Sequence, residues 1–230
     1  MDAPLELRNV SCQRGTAVLR GVSLAFGPGT FTLLAGTPDS GHELLLRVLG
    51  LLEAPDTGEV LLAGTPTQTL LEEERAKLRD RRIGFVFAAP FLLAAFTPIE
   101  NVAMPLFKVL DFEPNEAQRR GEALLDFVGL PELIQAPCSE LALANQHRVS
   151  LARALAGEPA VLLIENLDGV LAGEELSSFS ALVREAAVRF RLAVVATVSA
   201  HFAAETSDRV IEIADGVVRQ DSELLPKPKA

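Results

Sequence analysis

Residues Gly36-Thr37-Pro38-Asp39-Ser40-Gly41-His42-Glu43 trace the outline of a phosphate-binding loop but omit the two side chains that give such a loop its grip. The pattern is Gly, four residues, Gly, Lys, then Ser or Thr: backbone N–H groups cradle phosphate, the lysine adds charge and the hydroxyl meets magnesium. Both glycines stand at the required spacing, with His42 at the lysine position and Glu43 at the hydroxyl position. An imidazole with an unperturbed pKa of about 6.5 is mostly neutral at neutral pH, and it is shorter than lysine. Asp39 and Glu43 would set two carboxylates against a polyanion. Like charges about 4 Å apart repel by about 4 kcal/mol at an effective dielectric near 20. Three readings of Glu43 stand side by side. Its charge favours the positive end of the helix it begins and holds an empty loop closed; it offers magnesium an oxygen ligand in a weak nucleotide site; or the loop takes another anion or a metal.

The flanking patterns supply the elements such a loop needs. An apolar strand at 31–35 precedes it and an apolar helix at 44–49 follows it. Further strands read at 5–7 and 18–26, with Gly27-Pro28-Gly29 marking a turn, and a hairpin reads around 58–64. The charged run 72–82 reads as a solvated helix, with Glu73 and Lys77 at a supporting spacing. A short strand at 83–87 gives way to a helical pattern from Pro98 to about Leu155, with amphipathic stretches at 121–128, ended by Gly129, and at 149–156. Strands return at 160–164 and 192–197, separated by a helix at 174–190. A hairpin at 209–213 and 217–219 closes through Ala214-Asp215-Gly216. The pattern is that of an α/β domain over 1–220, with a helical subdomain at about 88–158 and a disordered tail at 221–230.

Composition narrows the partners. The net charge of −10 denies the chain the basic footprint that nucleic acid needs, and with no Trp or Tyr only Phe could stack on bases. Cys12 and Cys138 read as reduced, partly buried thiols. The start of the chain lacks the basic-then-apolar profile of a signal peptide. The uncharged stretch 83–99 is broken by Gly84, Pro90 and Pro98 and falls short of the roughly 20 apolar residues of a spanning helix. Any membrane role therefore runs through a partner.

Several stretches carry a more specific likeness. Ile83-Gly84-Phe85-Val86-Phe87, Phe91-Leu92-Leu93 and the run from Thr97-Pro98-Ile99-Glu100-Asn101 to Leu106 are three of them; the charged segment 74–82, the run 148–155 and Pro159-Ala160-Val161-Leu162-Leu163 complete the set. Together, over residues 4–220, they resemble the ATP-binding subunits of ABC transporters, and within these the lipoprotein-release and MacB-type subfamily. The resemblance implies a P-loop NTPase-like fold: an antiparallel β subdomain, a mixed-sheet core and a helical subdomain. It also implies ATP sandwiched between two subunits, one offering the phosphate loop and the other a signature loop.

Measured against that family, this chain departs at each polar contact. Glu165 and Asn166 stand where the family has Asp and Glu, and an amide cannot take the proton of an attacking water. Leu141-Ala142-Leu143-Ala144-Asn145 stands at the signature loop, replacing a serine and two glycines. Arg14 takes the place of an aromatic, Ala88 of a glutamine, Ala172 of an aspartate and Val198 of a histidine, with His201 three residues further on. His147 and His201 read as packing or surface residues. The expectation is a non-hydrolysing subunit with no cofactor, cytoplasmic and held peripherally on the inner face of the membrane by an inner-membrane permease. The permease would seat on Phe91, Leu92, Leu93 and Phe96, residues that could equally fill the core. Pairing with a second copy or with a related ATP-binding subunit is open. The rival expectation is a working ATPase that uses Mg-ATP for lipoprotein or lipid export, with Glu165, Glu43 and His42 in unorthodox roles. A free-standing regulator of an active homologue is a third.

Overall fold

The computed structural model describes residues 3–202 and 207–223. Strands β1 (Leu5–Arg14) and β2 (Ala17–Phe26) form a long antiparallel pair. Their apolar residues alternate, so Leu5, Leu7, Val10 and Cys12 point inward while the residues between them meet solvent. β4 (Thr57–Leu62) adds to the other edge of β1, and β5 (Thr65–Pro66) closes a four-stranded sheet in the order β2-β1-β4-β5. Ala63 and Gly64 both take positive φ between β4 and β5, the conformation a tight two-residue hairpin requires.

The second sheet positions the site. Its order is β10-β9-β3-β8-β7-β6, with β3 (Thr30–Gly36), β6 (Ile83–Val86), β7 (Val161–Ile164), β8 (Ala193–Ser199) and β9 (Arg209–Ala214) parallel. β10 (Val217–Glu223) returns antiparallel on β9. Asp221, Ser222 and Glu223 pair in that strand, which corrects the reading of a tail from 221 onward; residues 224–230 lie outside the described residues. Parallel strands covered on both faces read as near-continuous apolar runs, as Thr30–Gly36 and Ala193–Ser199 do, interrupted inside only by the buried Thr32 and Thr197.

Strand alternation divides the core in two. Phe31, Leu33, Leu162, Ile164, Val194 and Ala196 face one cluster, under helices α3 (Pro98–Val109), α4 (Pro114–Phe127), α5 (Leu143–Leu155) and α7 (Gly173–Arg189). Leu34, Val161, Leu163, Val195 and Ile211 face the other, with α1 (His42–Leu49) and the antiparallel sheet. The charged helix α2 (Glu72–Arg82) has no buried residue, and its Lys77 Nζ lies 2.7 Å from Glu73 Oε1. Cys12 and Cys138 are buried, unpaired thiols. No helix among the described residues is long and apolar enough to cross a membrane.

Candidate functional site

The parallel strands β3, β7 and β8 end together, so their C-terminal residues share one edge: Gly36 stands opposite Ser199, Ala35 opposite Val198, and Ile164 opposite Ala196. That edge is where open α/β sheets bind ligands. From Gly36 the chain turns through Asp39 (φ 66°) and Gly41 (φ 99°) into α1. A side chain at Gly41 would collide with the Val18 carbonyl, so this position needs glycine for room as well as for its backbone angle. The turn is anchored from outside: Gly216 donates its amide to the Ser40 carbonyl at 2.9 Å, and Thr16 donates its hydroxyl to Asp39 Oδ1 at 2.8 Å.

Inside the turn, Ser40 and His42 are buried and lie directly over Gly36, with Ser40 Oγ 2.8 Å from His42 Nδ1. Burial pushes the His42 pKa down, against the pull of the Glu43 and Asp168 carboxylates, so the ring is neutral. His42 therefore packs within the turn, and Glu43 is exposed on the first turn of α1. Among the described residues, nothing accepts from the amides of Asp39, Gly41, Glu43 or Leu44. Four backbone donors at a helix N-terminus form the concave, positively polarised nest that phosphate oxygens fit.

The neighbouring strands deliver acids. Glu165, just past β7, accepts a hydrogen bond at Oε2 from the Ala88 amide (3.1 Å), so its carboxylate is tied to the start of the 88–97 segment. Asn166 takes a left-handed backbone (φ 51°), donates its backbone amide to the Thr197 hydroxyl oxygen (2.8 Å), and lays its side-chain amide against Gly169. On the short helix α6 (Leu167–Val170), Asp168 accepts from both the amide and the hydroxyl of Ser199. Sequence reasoning missed Asp168 and Ser199. The signal was a third acid three residues beyond Glu165, visible only once β7 and β8 are known to be neighbours. Val198 is buried in the helical-side core, and His201 is exposed.

Ala142, Leu143, Ala144 and Asn145 begin α5, with Leu143 about half exposed and Ala144 and Asn145 facing Glu174 and Glu175 of α7 across a shallow cleft. This helix starts six residues earlier than its apolar pattern suggested. Arg148 is scaffold: it donates to the Val128 carbonyl and to Ser178 Oγ, both at 2.8 Å. His147 packs edge-on against Phe179, and burial lowers its pKa.

Residues 19–167, which run from β2 through α1 and β7 to the start of α6, match the sequence profile of the ABC transporter family. The chain belongs to the ABC transporter family. It is 36% identical over 206 residues to the lipoprotein-releasing system ATP-binding protein LolD of Anaeromyxobacter dehalogenans, covering 90% of this chain and 86% of that one. Against the macrolide export ATP-binding/permease protein MacB of Syntrophobacter fumaroxidans it is 35% identical over 210 residues, which span 89% of this chain and 29% of that longer one. Its ABC cassette fold superposes on a dimeric bacterial ABC transporter cassette with a TM-score of 0.82 at 28% identity, over 97% of this chain and 100% of the other. A post-hydrolysis cassette dimer bound to ADP and phosphate gives a TM-score of 0.81 at 27% identity over the same shares.

These matches overturn the expectation that no cofactor belongs here. Relatives spanning nine-tenths of the chain are ATP-binding proteins by name, and a cassette of the same fold has been solved with ADP and phosphate. The physical reason for the error is that the reading weighed side chains alone, while the loop's open amides survive the loss of its lysine. At the remaining ABC positions, Arg14 is fastened by Glu53, Asp56 and the Ala54 carbonyl. Phe91, Leu93 and Phe96 are exposed, and Leu92 packs inward on the core.

Proposed function

We propose that this chain is the nucleotide-driven subunit of a transporter of the lipoprotein-release or MacB type, acting at the inner face of the membrane through a permease. Mg-ATP would bind with its phosphates on the amides of the Gly36–Glu43 turn. Glu43 and Glu165 would offer magnesium its protein oxygens in place of a hydroxyl and an aspartate. The bound metal would supply charge neutralisation to the phosphates. The permease would seat on the exposed Phe91, Leu93 and Phe96. The single observation that carries this reading is the set of four unpartnered amides at the N-terminus of α1, in a turn anchored by Gly216 and Thr16.

Titration calorimetry with Mg-ATP tests it. Wild-type protein should bind weakly, and His42→Lys with Glu43→Ser, which restores the lysine and hydroxyl, should tighten binding by about tenfold or more, the worth of one charge-assisted hydrogen bond. If neither protein gives heat or thermal stabilisation, the reading fails.

A second reading, of nucleotide bound but not turned over, is favoured by the geometry at residues 165 and 166. Glu165 is occupied by the Ala88 amide, and Asn166 offers no proton acceptor. Phosphate release from the same preparation separates the two: binding without release supports the second, and steady release supports the first.

A further inference from the structure

Arg153, on the last turn of α5, has no carboxylate within hydrogen-bond reach among the described residues. Its partners are two consecutive main-chain carbonyls in the segment that follows β6, some sixty residues earlier in the chain. Nη1 donates to the Phe91 carbonyl and Nη2 to the Pro90 carbonyl, both at 2.7 Å. Burial lowers the pKa of this guanidinium, so the arrangement carries a desolvation cost. Phe91 itself takes φ 46°, a left-handed conformation that a bulky residue holds only when its surroundings impose it.

The rest of the segment is held as firmly. Asn101 is buried beneath it: its Oδ1 accepts from the Leu93 amide at 2.8 Å, and its Nδ2 donates to the Leu93 and Thr97 carbonyls at 3.1 Å. The amides of Cys138 and Ser139 donate to the Phe96 and Ala94 carbonyls, each at 2.9 Å. Phe91 stands edge-on to Phe87, 5.6 Å between ring centres. Yet the side chains these bonds present outward are apolar: Phe91 is 69% exposed, Leu93 47% and Phe96 37%. A loop of exposed apolar side chains is ordinarily free to fold them away, and here its backbone is fixed so that they cannot.

We infer that Arg153 is a positioning residue: its guanidinium fork holds the Pro90–Phe91 backbone in its left-handed turn, keeping Phe91, Leu93 and Phe96 outward as a preformed apolar ledge that moves with α5. The inference rests on the permease reading for what the ledge is used for, and on the bonds alone for how it is held. Its consequence is mechanical. α5 carries Leu143 at its other end, so a displacement of that helix carries the ledge with it through Arg153 instead of leaving it behind on a slack loop. A lysine, with one point charge, cannot bridge two carbonyls as a planar fork does.

The chain has no Trp or Tyr, so Phe91→Trp places a single indole on the ledge. In that background, Arg153→Ala and Arg153→Lys are compared by hydrogen exchange and by quenching of the indole, without nucleotide or permease. Amides 92–97 should exchange about tenfold faster or more in both variants, as loss of a charge-assisted hydrogen bond requires. Protection in β6, α3 and the first turns of α5 should stay as in the parent. Millimolar guanidinium should restore slow exchange and the parent's quenching to Arg153→Ala, while ammonium should not. Unchanged exchange over 92–97 in the variants, failure of guanidinium to restore it, or loss of protection spreading along α5 would each overturn the inference. If Arg153→Ala does not fold, Arg153→Lys, which keeps the buried stem, decides by its exchange rate. Because the measurement uses neither Mg-ATP nor a permease, its failure leaves the proposed function standing, and failure of nucleotide binding leaves this inference standing.

Discussion

His42 is buried inside the 36–43 turn, with its Nδ1 2.8 Å from Ser40 Oγ. His147 is buried as well, against Phe179. Both have pKa values lowered by burial, so the folded protein takes up their protons later than the unfolded chain does. With more protons on the unfolded state, stability rises with pH through this window. The contribution is flat above about pH 6.5, the unfolded value, and is progressively lost as pH falls towards the depressed folded values. Melting temperature followed from neutral to mildly acid pH should fall, and His147→Phe should flatten part of that fall. A slope unchanged in the variant would show that His147 contributes none of it. Glu43, by contrast, is exposed on the first turn of α1, where a carboxylate meets the positive end of the helix.

At the scale of elements, the boundaries that mattered most were set by close approach. Gly84 of β6 lies so near the α5 backbone that a side chain there would collide with the Ala154 carbonyl. The strand thus reaches the helix that carries both Leu143 and Arg153. Gly84→Ala should destabilise the protein by about 1–3 kcal/mol, the ordinary cost of forcing atoms into a packed interior. Chemical denaturation would read this as a lower midpoint with an unchanged slope; an unshifted midpoint would show that β6 and α5 can part without penalty. Strands 31–35 and 160–164 and the charged helix at 72–82 were legible because burial on both faces, or on none, leaves a plain pattern. The start of α5 was not legible. Leu143-Ala144-Asn145-Gln146-His147-Arg148 has no clean apolar stripe, and its helicity comes from packing on α3 and α4.

The whole molecule carries a net charge of −10 and gathers Glu43, Glu165 and Asp168 around the edge where Mg-ATP would bind, with no lysine or arginine in the 36–43 turn. Such a field repels the nucleotide at long range while the amide nest holds it at contact. Screening acts on the first far more than on the second, since the Debye length falls from about 30 Å at 0.01 M salt to about 10 Å at 0.1 M. Affinity for Mg-ATP should therefore rise with salt over that range, opposite to the behaviour of a loop that relies on lysine. Binding that weakens with salt would mean that a cation unaccounted for at this edge dominates. The same measurement on His42→Lys with Glu43→Ser should reverse the slope.

The amino-acid sequence alone determined the order of strands and helices, the family and the chemical types present at the loop, because burial periodicity and glycine spacing are local properties of the chain. Tertiary structure decided what those types can do. Only the alignment of β3, β7 and β8 brings Asp168 and Ser199 to the edge beside Gly36, only burial makes His42 a packing group, and only the crossing of α5 over the 90–97 segment gives Arg153 its two carbonyls. Each of these depends on distances between residues far apart in the chain, and one-dimensional patterns do not carry them.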